Sequence, residues 1–350
     1  MTLKYGFARL PVGGAKAGIV APLDIDPEER HALLRSFGVA LRPYLEQEVY
    51  VPGEDMGSSA EDIEIVMKAA GLRPLPRSLM YAASGYFTGV GVCHSTLAAL
   101  DHFGLQWAQT RVVVEGLGAV GSSAASALHQ HGIRVVAVST SRGGLYNADG
   151  LDIPRLMQER QRHGNDVVNV EGFGDFVPSE SLSAIDCDAF VPCAIMHSIT
   201  MQRVPGFKAR LLVPGANVPC TAEAERVLVQ RGVTVIPDFV ANCGGVLGSS
   251  VSRAGVDRPA VAFVVARRLN SEVASLLQAA AQGDKPLRAL ATETATERFE
   301  TAKAGYERPS LQGRVFRFGV GLHRKGLIPR PLIAPVARWY FDRRWKSNTD

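Results

Sequence analysis

A glycine-rich turn between a buried strand and a helix constrains the fold of this 350-residue chain more than any other feature. The valine run 112–114 predicts a buried parallel strand, and small residues with helical spacing follow over 122–131. Between them, Gly116 would permit a tight turn, Gly118 would let the backbone approach a pyrophosphate, and Gly121 would permit close helix–strand packing. We therefore expect a dinucleotide-binding loop here, with a merely structural glycine turn as the alternative.

Strands and helices alternate along much of the chain, which predicts an α/β fold with a Rossmann-type doubly wound parallel sheet. Residues 1–20 alternate loosely and are predicted to form a strand that enters a loop, and residues 72–84 are predicted to be a linker. Asp26 is the predicted N-cap of the first long helix. The predicted strands are 110–115, 133–138, 189–191, 211–213 and 233–236, and the predicted helices are 27–49, 59–71, 96–103, 122–131, 154–163, 222–231 and 259–306.

The order of these elements predicts two domains and a C-terminal extension. Residues 1–84 are expected to form a smaller α/β substrate-binding and catalytic domain, and residues 85–255 the dinucleotide-binding domain. Residues 256–350 are expected to form C-terminal helices and a basic tail that pack back on the first domain. A chain of 350 residues is long enough for two domains with separate cores.

The end of the second predicted strand bears on the identity of the cofactor. An acidic residue at this point would bind the ribose hydroxyls of NAD. Here the sequence instead contains Thr140, Ser141 and Arg142, and hydroxyls with an arginine suit the 2′-phosphate of NADP. NADP is therefore favoured over NAD, with an Arg142 that only faces solvent as the alternative.

A second glycine-rich run surrounds a single lysine near the N-terminus. Gly13, Gly14, Ala15 and Ala17 flank Lys16, and such small neighbours allow a ligand to approach closely. Desolvation would lower the pKa of this lysine, and a neutral amine can act as a general base or nucleophile. The alternative is a glycine-rich turn with an exposed lysine.

Composition excludes several classes of protein. Hydrophobic residues make up 46% and charged residues 21% of the chain, which is ordinary for a globular protein. The sequence contains no apolar signal segment and no run of about 18 apolar residues, so we expect a cytoplasmic protein without a membrane partner. The five cysteines form no CxxC pair and no zinc-ligand spacing, which predicts a reducing compartment and no metal site.

The positive charge of the chain is concentrated at its C-terminus. Residues 311–350 contain nine Lys and Arg against two Asp, a net charge of +7 within a total of +4. The aromatic residues in the same segment favour packing on a neighbouring domain or subunit. Nucleic-acid binding through this basic tail is the less favoured alternative.

Five segments, taken in order, resemble the glutamate/leucine/phenylalanine/valine dehydrogenase family of amino-acid dehydrogenases. They are residues 1–4 together with 10–16, then 54–57, 88–92, 214–219 and 237–246, and the resemblance covers roughly residues 1–255. It implies the oxidative deamination of an L-amino acid to a 2-oxo acid and ammonia, and the reverse reaction, with NAD or NADP. It also implies a homo-oligomer.

The resemblance assigns roles to individual residues. Lys4 is expected to bind the substrate α-carboxylate, Lys16 to activate water and Asp55 to transfer protons. Ser249 matches the position where glutamate enzymes bind the side-chain carboxylate, which favours glutamate or another polar substrate. The cofactor is expected to contact Thr88, Gly116, Gly118, Ala119, Val120, Gly121, Thr140, Ser141, Arg142, Asn217 and Asn242.

The chain also departs from the family. It begins at the family's Met-Thr-x-Lys segment, so we expect an N-terminally short member. Residues 195–198 replace a small or Asn-containing turn at the cofactor face, and the tail beyond residue 310 does not match. An NAD(P)-dependent amino-acid dehydrogenase is the favoured hypothesis. A catalytically impaired cofactor-binding relative with a regulatory or structural role is the alternative.

Overall fold

The computed structural model describes residues 1–22, 24–55, 57–73, 84–324 and 327–346, which belong to two compact units. The smaller unit is Gly13–Ala83, and the larger unit combines Met1–Val12 with Ser84–Asp350. Most of the predicted linker at 72–84 lies outside the described residues. The three-part division at residues 84 and 255 stays a prediction.

The larger unit contains a seven-stranded sheet among its described residues, with the order β4-β3-β2-β1-β5-β6-β7. Strands β2, β1, β5, β6 and β7 run parallel, and β3 and β4 add an antiparallel edge. This confirms the predicted α/β class. The strands are β1 (Arg111–Glu115), β2 (Arg134–Thr140), β3 (Gly143–Tyr146), β4 (Asp175–Val177), β5 (Ala189–Pro192), β6 (Leu211–Leu212) and β7 (Thr234–Val235).

Helices flank this sheet and form the smaller unit. The predicted helices are present, but the one predicted at 96–103 begins at Ser84, and the helical region predicted at 259–306 is divided into two helices. No helix in the described part of the chain is long and apolar enough to cross a membrane. The helices are α1 (Thr2–Phe7), α2 (Pro27–Glu46), α3 (Ala60–Ala69), α4 (Ser84–His102), α5 (Ala119–Gln130), α6 (Ile153–His163), α7 (Ala222–Gln230), α8 (Asp238–Ala241), α9 (Gly244–Arg253), α10 (Arg258–Gln282), α11 (Leu287–Glu307), α12 (Leu311–Arg324) and α13 (Arg330–Lys346).

The strand predicted at the N-terminus is wrong, because α1 is a helix that packs on α11. Tyr5 and Phe7 are buried in this contact. A Cβ at Gly6 would overlap the carbonyl oxygen of Ala295, so the missing side chain lets the two helix backbones meet. The spacing of apolar residues in this segment suits one face of a short helix as well as a strand, and packing against α11 favours the helix.

Strands β3 and β4 were also missed by the sequence reasoning. β3 begins with Gly143 and Gly144, which weaken a strand signal, and β4 has three residues, two of them exposed. β3 pairs antiparallel with β2, and β4 pairs antiparallel with β3, so both lie outside the parallel part of the sheet. Their hydrogen bonds extend the sheet at the edge next to the end of β2.

The smaller unit is built on the contact between α2 and α3. Asp26 caps α2 as predicted, since its side chain accepts hydrogen bonds from the backbone of Glu28 at 2.8 Å and Glu29 at 3.3 Å. A Cβ at Gly38 would overlap the carbonyl oxygen of Val66, so the two helices lie in close backbone contact. The described residues 13–73 contain these two helices and no strand.

Asp62 joins the two helices of the smaller unit. It belongs to a capping box with Ser59 at the start of α3, and it accepts two hydrogen bonds from Arg30 of α2, at 2.5 and 2.7 Å. The carboxylate is buried. The hydrogen bonds from Arg30, with help from Ser59, lower the pKa of Asp62 to about 2.

Replacing this carboxylate should therefore destabilise the smaller unit in a pH-dependent way. Because the folded-state pKa lies below the ordinary value, the ionised form stabilises the fold above about pH 4, and the effect disappears as the pH falls through about 2. We expect Asp62→Asn to cost about 2 kcal/mol at pH 7 and progressively less at acidic pH, measured by urea unfolding of the full chain. The exposed Arg42–Glu46 pair supplies the control, because Glu46→Gln should cost less than about 0.5 kcal/mol. An equal effect of Asp62→Asn at pH 7 and pH 2.5 would contradict this account.

Candidate cofactor and catalytic sites

The predicted dinucleotide loop connects β1 to α5. Gly116 has a φ of +90°, and a Cβ there would lie 2.7 Å from Cα of Ala194, so glycine is required twice over. A Cβ at Gly121 would overlap the carbonyl oxygen of Gly116. By contrast, a Cβ at Gly118 would meet no atom within 4 Å. Two glycines are thus demanded by packing, and the third faces open space where a ligand could approach.

The N-terminus of α5 provides backbone donors at this open position. Gly118 is the N-cap and supplies no side-chain cap, and the following Ala119 is exposed while Val120 is half-buried. The first N–H groups of a helix and its dipole favour an anion at such an end. The geometry therefore suits a pyrophosphate.

The residues predicted to read the cofactor's 2′-position lie at the end of β2. The hydroxyl of Thr140 donates to the carbonyl of Asn165 at 2.7 Å and accepts the backbone N–H of Arg142 at 3.1 Å. Ser141 and Arg142 are exposed. Because the Arg142 guanidinium lies 3.5 Å from Asp166, its positive charge is partly compensated. A 2′-phosphate would have to compete with that carboxylate.

Lys4, Asn217 and Asn242 come together although 238 residues separate the first from the last. The Oδ1 atom of Asn217 accepts hydrogen bonds from Nζ of Lys4 at 2.6 Å and from Nδ2 of Asn242 at 3.0 Å. Asn242 is only 2% exposed, and its Oδ1 atom is buried without a hydrogen-bond partner. An acceptor left unpaired in this way suits a ligand donor such as a carboxamide N–H.

The loop that carries Asn217 is held in a strained conformation. Gly215 and Ala216 both donate backbone hydrogen bonds to the carbonyl of Pro192 at the end of β5, at 2.9 Å each. Val218 has a φ of +45°, which is a true outlier for a β-branched residue. Its N–H donates to Asp238 at 3.2 Å. Strain of this kind concentrates at binding sites, where the surrounding structure enforces it.

Thr88 and Ser249 lie on two helices that pack together, α4 and α9. The hydroxyl of Thr88 donates to the carbonyl of Ser84 at 2.8 Å. The hydroxyl of Ser249 is buried and has no hydrogen-bond partner, whereas its neighbour Ser250 donates to the carbonyl of Val246 at 2.8 Å. A buried unpaired hydroxyl costs about 1–3 kcal/mol, so the Ser249 hydroxyl is available to a polar ligand group.

The predicted catalytic pair forms within the smaller unit. Nζ of Lys16 contacts Oδ2 of Asp55, and the two side chains are 58% and 53% exposed. Partial burial lowers the pKa of Lys16, while the adjacent carboxylate favours its charged form. A Cβ at Gly13 or Gly18 would meet no atom within 4 Å, so the backbone on both sides of Lys16 borders open space. Within the motif at 54–57, Met56 lies outside the described residues.

A buried ion pair next to the glycine loop was missed by the sequence reasoning. Glu115 at the end of β1 is buried, contacts Arg203 through its Oε1 atom, and accepts a hydrogen bond from Ser198 at 2.7 Å. Arg203 also donates to the carbonyl of Ser198 at 2.9 Å. These bonds hold the segment that follows β5 against Gly116. The sequence did contain a signal for this pair. An acid that directly follows three buried valines is expected to be buried as well, and a buried charge needs a partner of opposite charge.

The described residues contain no group of three or more His, Cys, Asp or Glu side chains arranged to hold a metal ion.

Two family models match the chain. The model described as "Glutamate/Leucine/Phenylalanine/Valine dehydrogenase" matches residues 83–305. The model described as "Glu/Leu/Phe/Val dehydrogenase, dimerisation domain" matches residues 1–71. The first covers well over half of the chain.

Individual relatives agree with these matches. The chain is 32% identical over 263 residues to a catabolic NAD-specific glutamate dehydrogenase of Bacillus subtilis, and 34% identical over 263 residues to an NADP-specific glutamate dehydrogenase of Saccharolobus shibatae. These alignments cover 70% and 72% of this chain but only 60% and 62% of the relatives. The chain therefore spans about three fifths of their length. The solved hetero-hexameric glutamate dehydrogenase of Thermus thermophilus (Leu-bound form) is 27% identical with a TM-score of 0.73, over 86% of this chain and 76% of that chain.

The glycine loop gives a prediction that separates packing from ligand binding. Gly121→Ala should destabilise the ligand-free protein, because its Cβ has no room beside the Gly116 carbonyl. Gly118→Ala should cost no more than about 1 kcal/mol, since it only replaces one N-cap residue with a poorer one. Gly118→Ala should instead weaken NADPH binding by about tenfold or more, since the methyl group occupies the space at the helix N-terminus. Thermal unfolding and NADPH fluorescence titration measure the two effects. Unchanged NADPH binding by Gly118→Ala would remove Gly118 from the proposed site.

Proposed function

Since the chain belongs to the glutamate/leucine/phenylalanine/valine dehydrogenase family, we propose that it catalyses NAD(P)-dependent oxidative deamination of an L-amino acid, and the reverse reaction. The products of deamination are a 2-oxo acid and ammonia. The observation that carries this proposal is the contact between Lys16 and Asp55, which puts an amine of lowered pKa beside a carboxylate. A homo-oligomer is proposed with it, in keeping with the dimerisation-domain match.

The described residues fit a nicotinamide dinucleotide at two separate points. The N-terminus of α5, with Gly118 open to solvent, would hold the pyrophosphate, and the unpaired Oδ1 atom of Asn242 would accept from the carboxamide. When bound, the nicotinamide ring supplies a hydride acceptor. Thr88 and Asn217 would line the same part of the site.

Lys4 would bind the substrate α-carboxylate. Its ammonium is held by Asn217 at 2.6 Å, so its position is fixed before substrate arrives. A fixed cation orients the amino acid so that its Cα–H faces the hydride acceptor, and orientation of this kind lowers the barrier by reducing the entropy lost in the transition state. The Asn217 hydrogen bond thereby links carboxylate binding to Asn242.

Lys16 and Asp55 would carry the proton transfers. Loss of hydride from Cα leaves an iminium, which water must attack. Neutral Lys16 would take a proton from that water, and Asp55 would move protons to and from the substrate nitrogen. Both roles require groups that exchange protons near neutral pH, and partial burial shifts the pKa of Lys16 toward that range.

Glutamate or another polar amino acid is the proposed substrate. The buried and unpaired hydroxyl of Ser249 can donate to a side-chain carboxylate, and the curated relatives described above are named glutamate dehydrogenases. For the cofactor, Ser141 and Arg142 favour NADP, and the relatives include both NAD- and NADP-specific proteins. A panel of the twenty amino acids with NAD and with NADP tests both choices. A protein that binds NADPH but releases no ammonia-linked product would instead be the catalytically impaired relative.

Removal of the Lys16 amine should stop turnover without affecting the cofactor. We expect Lys16→Ala to lower kcat by about 10³-fold or more, because the general base is lost, while the Kd for NADPH stays unchanged. In the wild type, kcat should rise with increasing pH as Lys16 loses its proton, because only the neutral amine is active. The midpoint of this rise should lie below 10.5, the ordinary pKa of lysine. Lys16→Arg should lack this rise. Lys68→Ala on the surface of α3 is the control, and normal turnover by Lys16→Ala would refute the assignment.

Ser249 offers a test of substrate class. Ser249→Ala should raise the KM for an acidic amino acid by roughly tenfold and leave the KM for apolar amino acids unchanged, because only the former needs the hydroxyl. Its stability should not fall, because the hydroxyl makes no hydrogen bond within the protein. The matched variant is Ser250→Ala, whose hydroxyl bonds within its own helix. Equal KM changes for acidic and apolar substrates would count against a side-chain carboxylate at this position.

A further inference from the structure

A cluster of four charged residues, which we call the Glu272 cluster, lies next to the C-terminal end of α1. Glu272 of α10 is 7% exposed and is surrounded by three arginines. Nη2 of Arg268 lies 2.5 Å from Oε1, Nη2 of Arg298 lies 2.6 Å from Oε2, and Nη2 of Arg9 lies 3.7 Å from Oε1. The cluster consists of Arg9, Arg268, Glu272 and Arg298.

One carboxylate is therefore shared by three guanidinium groups in a mostly buried place. Burial lowers the pKa of Arg268 to about 10, and burial together with Arg298 lowers the pKa of Arg9. Buried like charges repel strongly unless a counter-charge separates them. Glu272 is the acid that these three arginines share.

The same arginines hold α1 in place. Nη1 of Arg298 donates to the carbonyl of Phe7 at 3.3 Å, and its guanidinium lies over the Phe7 ring at 5.1 Å. Arg9 lies two residues beyond the end of α1 and has a φ of +56°, so the chain turns sharply at the point where it meets Glu272. The C-terminal end of α1 is thus attached to α10 and α11 through Glu272.

Lys4 lies on this short helix, about one turn before Phe7. Its ammonium reaches Asn217 at 2.6 Å, a distance that depends on where α1 lies. Electrostatic interactions from Lys4, Arg268 and Glu272 also reach the buried thiol of Cys243, whose pKa burial raises to about 12. The cluster and the lysine therefore share one region of the larger unit.

We propose that Glu272 is a positioning residue for substrate binding: by drawing Arg9 and Arg298 onto one carboxylate, it fixes α1 and so places Lys4 beside Asn217. The inference rests on the proposed role of Lys4 in binding the substrate carboxylate. The proposal also predicts the direction in which substrate affinity changes when Glu272 is removed. By charge alone, loss of the acid would make the region more positive and strengthen the binding of an anionic substrate. Displacement of Lys4 would weaken the binding of that substrate.

The first test compares steady-state kinetics of Glu272→Gln with the wild type. We expect the KM for the amino acid and for the 2-oxo acid to rise by about tenfold or more, while kcat changes by less than about threefold. The Kd for NADPH, measured by fluorescence, should stay unchanged. The matched control is Glu293→Gln, which removes an exposed acid of α11 paired with Lys285 and should alter none of these values. A lowered or unchanged KM in folded Glu272→Gln would overturn the proposal.

The second test does not depend on turnover. The rate at which acetic anhydride acetylates Lys4, measured by peptide mass spectrometry with Lys285 as internal reference, should rise about threefold or more in Glu272→Gln, because the Asn217 hydrogen bond is weakened. If the wild type turns over no amino acid but this increase is seen, the proposed function fails and the positioning role stands. An unchanged acetylation rate overturns the positioning role.

A second variant covers the case in which Glu272→Gln does not fold. Arg298→Lys keeps the charge but has a single nitrogen in place of the separate Nη1 and Nη2 atoms that reach the Phe7 carbonyl and Glu272. We expect it to fold and to show a smaller rise in both KM and acetylation of Lys4. Loss of folding in both variants, measured by circular dichroism, would overturn the proposal, because the cluster would then be required for the fold rather than for placing Lys4.

Discussion

The contact between Gly121 and the carbonyl of Gly116 is the constraint on which the cofactor half of this protein depends. It brings the first turn of α5 directly against the end of β1, and no side chain larger than hydrogen fits there. With α5 held so close, its N-terminus opens at the carboxyl edge of the parallel strands, beside Gly118. The loop at Ala194 then lies against Gly116 and completes the same edge. The proposed pyrophosphate site is thus a consequence of backbone packing rather than of any polar side chain.

The sequence predicted those parts of the fold that depend on interactions between residues close together in the chain. The valines of β1, the cap at Asp26 and the glycines of the loop all appear where their chemistry requires them. The helix at 2–7 was misread because its apolar spacing fits either element, and its partner Ala295 lies near the other end of the chain. The bond between Lys4 and Asn217 could not be read from spacing, because only the fold brings the two residues together.

Several buried acids in this protein form ion pairs with arginines. Asp62 joins α2 to α3 through Arg30, Glu115 ties the end of β1 to Arg203, and Glu272 gathers three arginines. A buried carboxylate is costly alone, and a guanidinium can satisfy both of its oxygens at once. Apart from Arg268, which lies on the same helix as Glu272, the arginine partners lie on other segments, so these pairs fix the relative position of different parts of the chain. Pairing of this kind contributes less to net stability than to placing neighbouring groups.

The proposed catalytic groups differ in how firmly the fold holds them. Lys4 is bonded to Asn217, which in turn accepts from buried Asn242. Lys16 and Asp55 are both more than half exposed, so water still solvates the Lys16 ammonium. Solvation and the Asp55 carboxylate both favour the charged lysine, and only partial burial acts in the other direction. A substrate that covered Lys16 would displace that water and move its pKa further down. In the proposed reaction, the substrate therefore helps to create the base that acts on it.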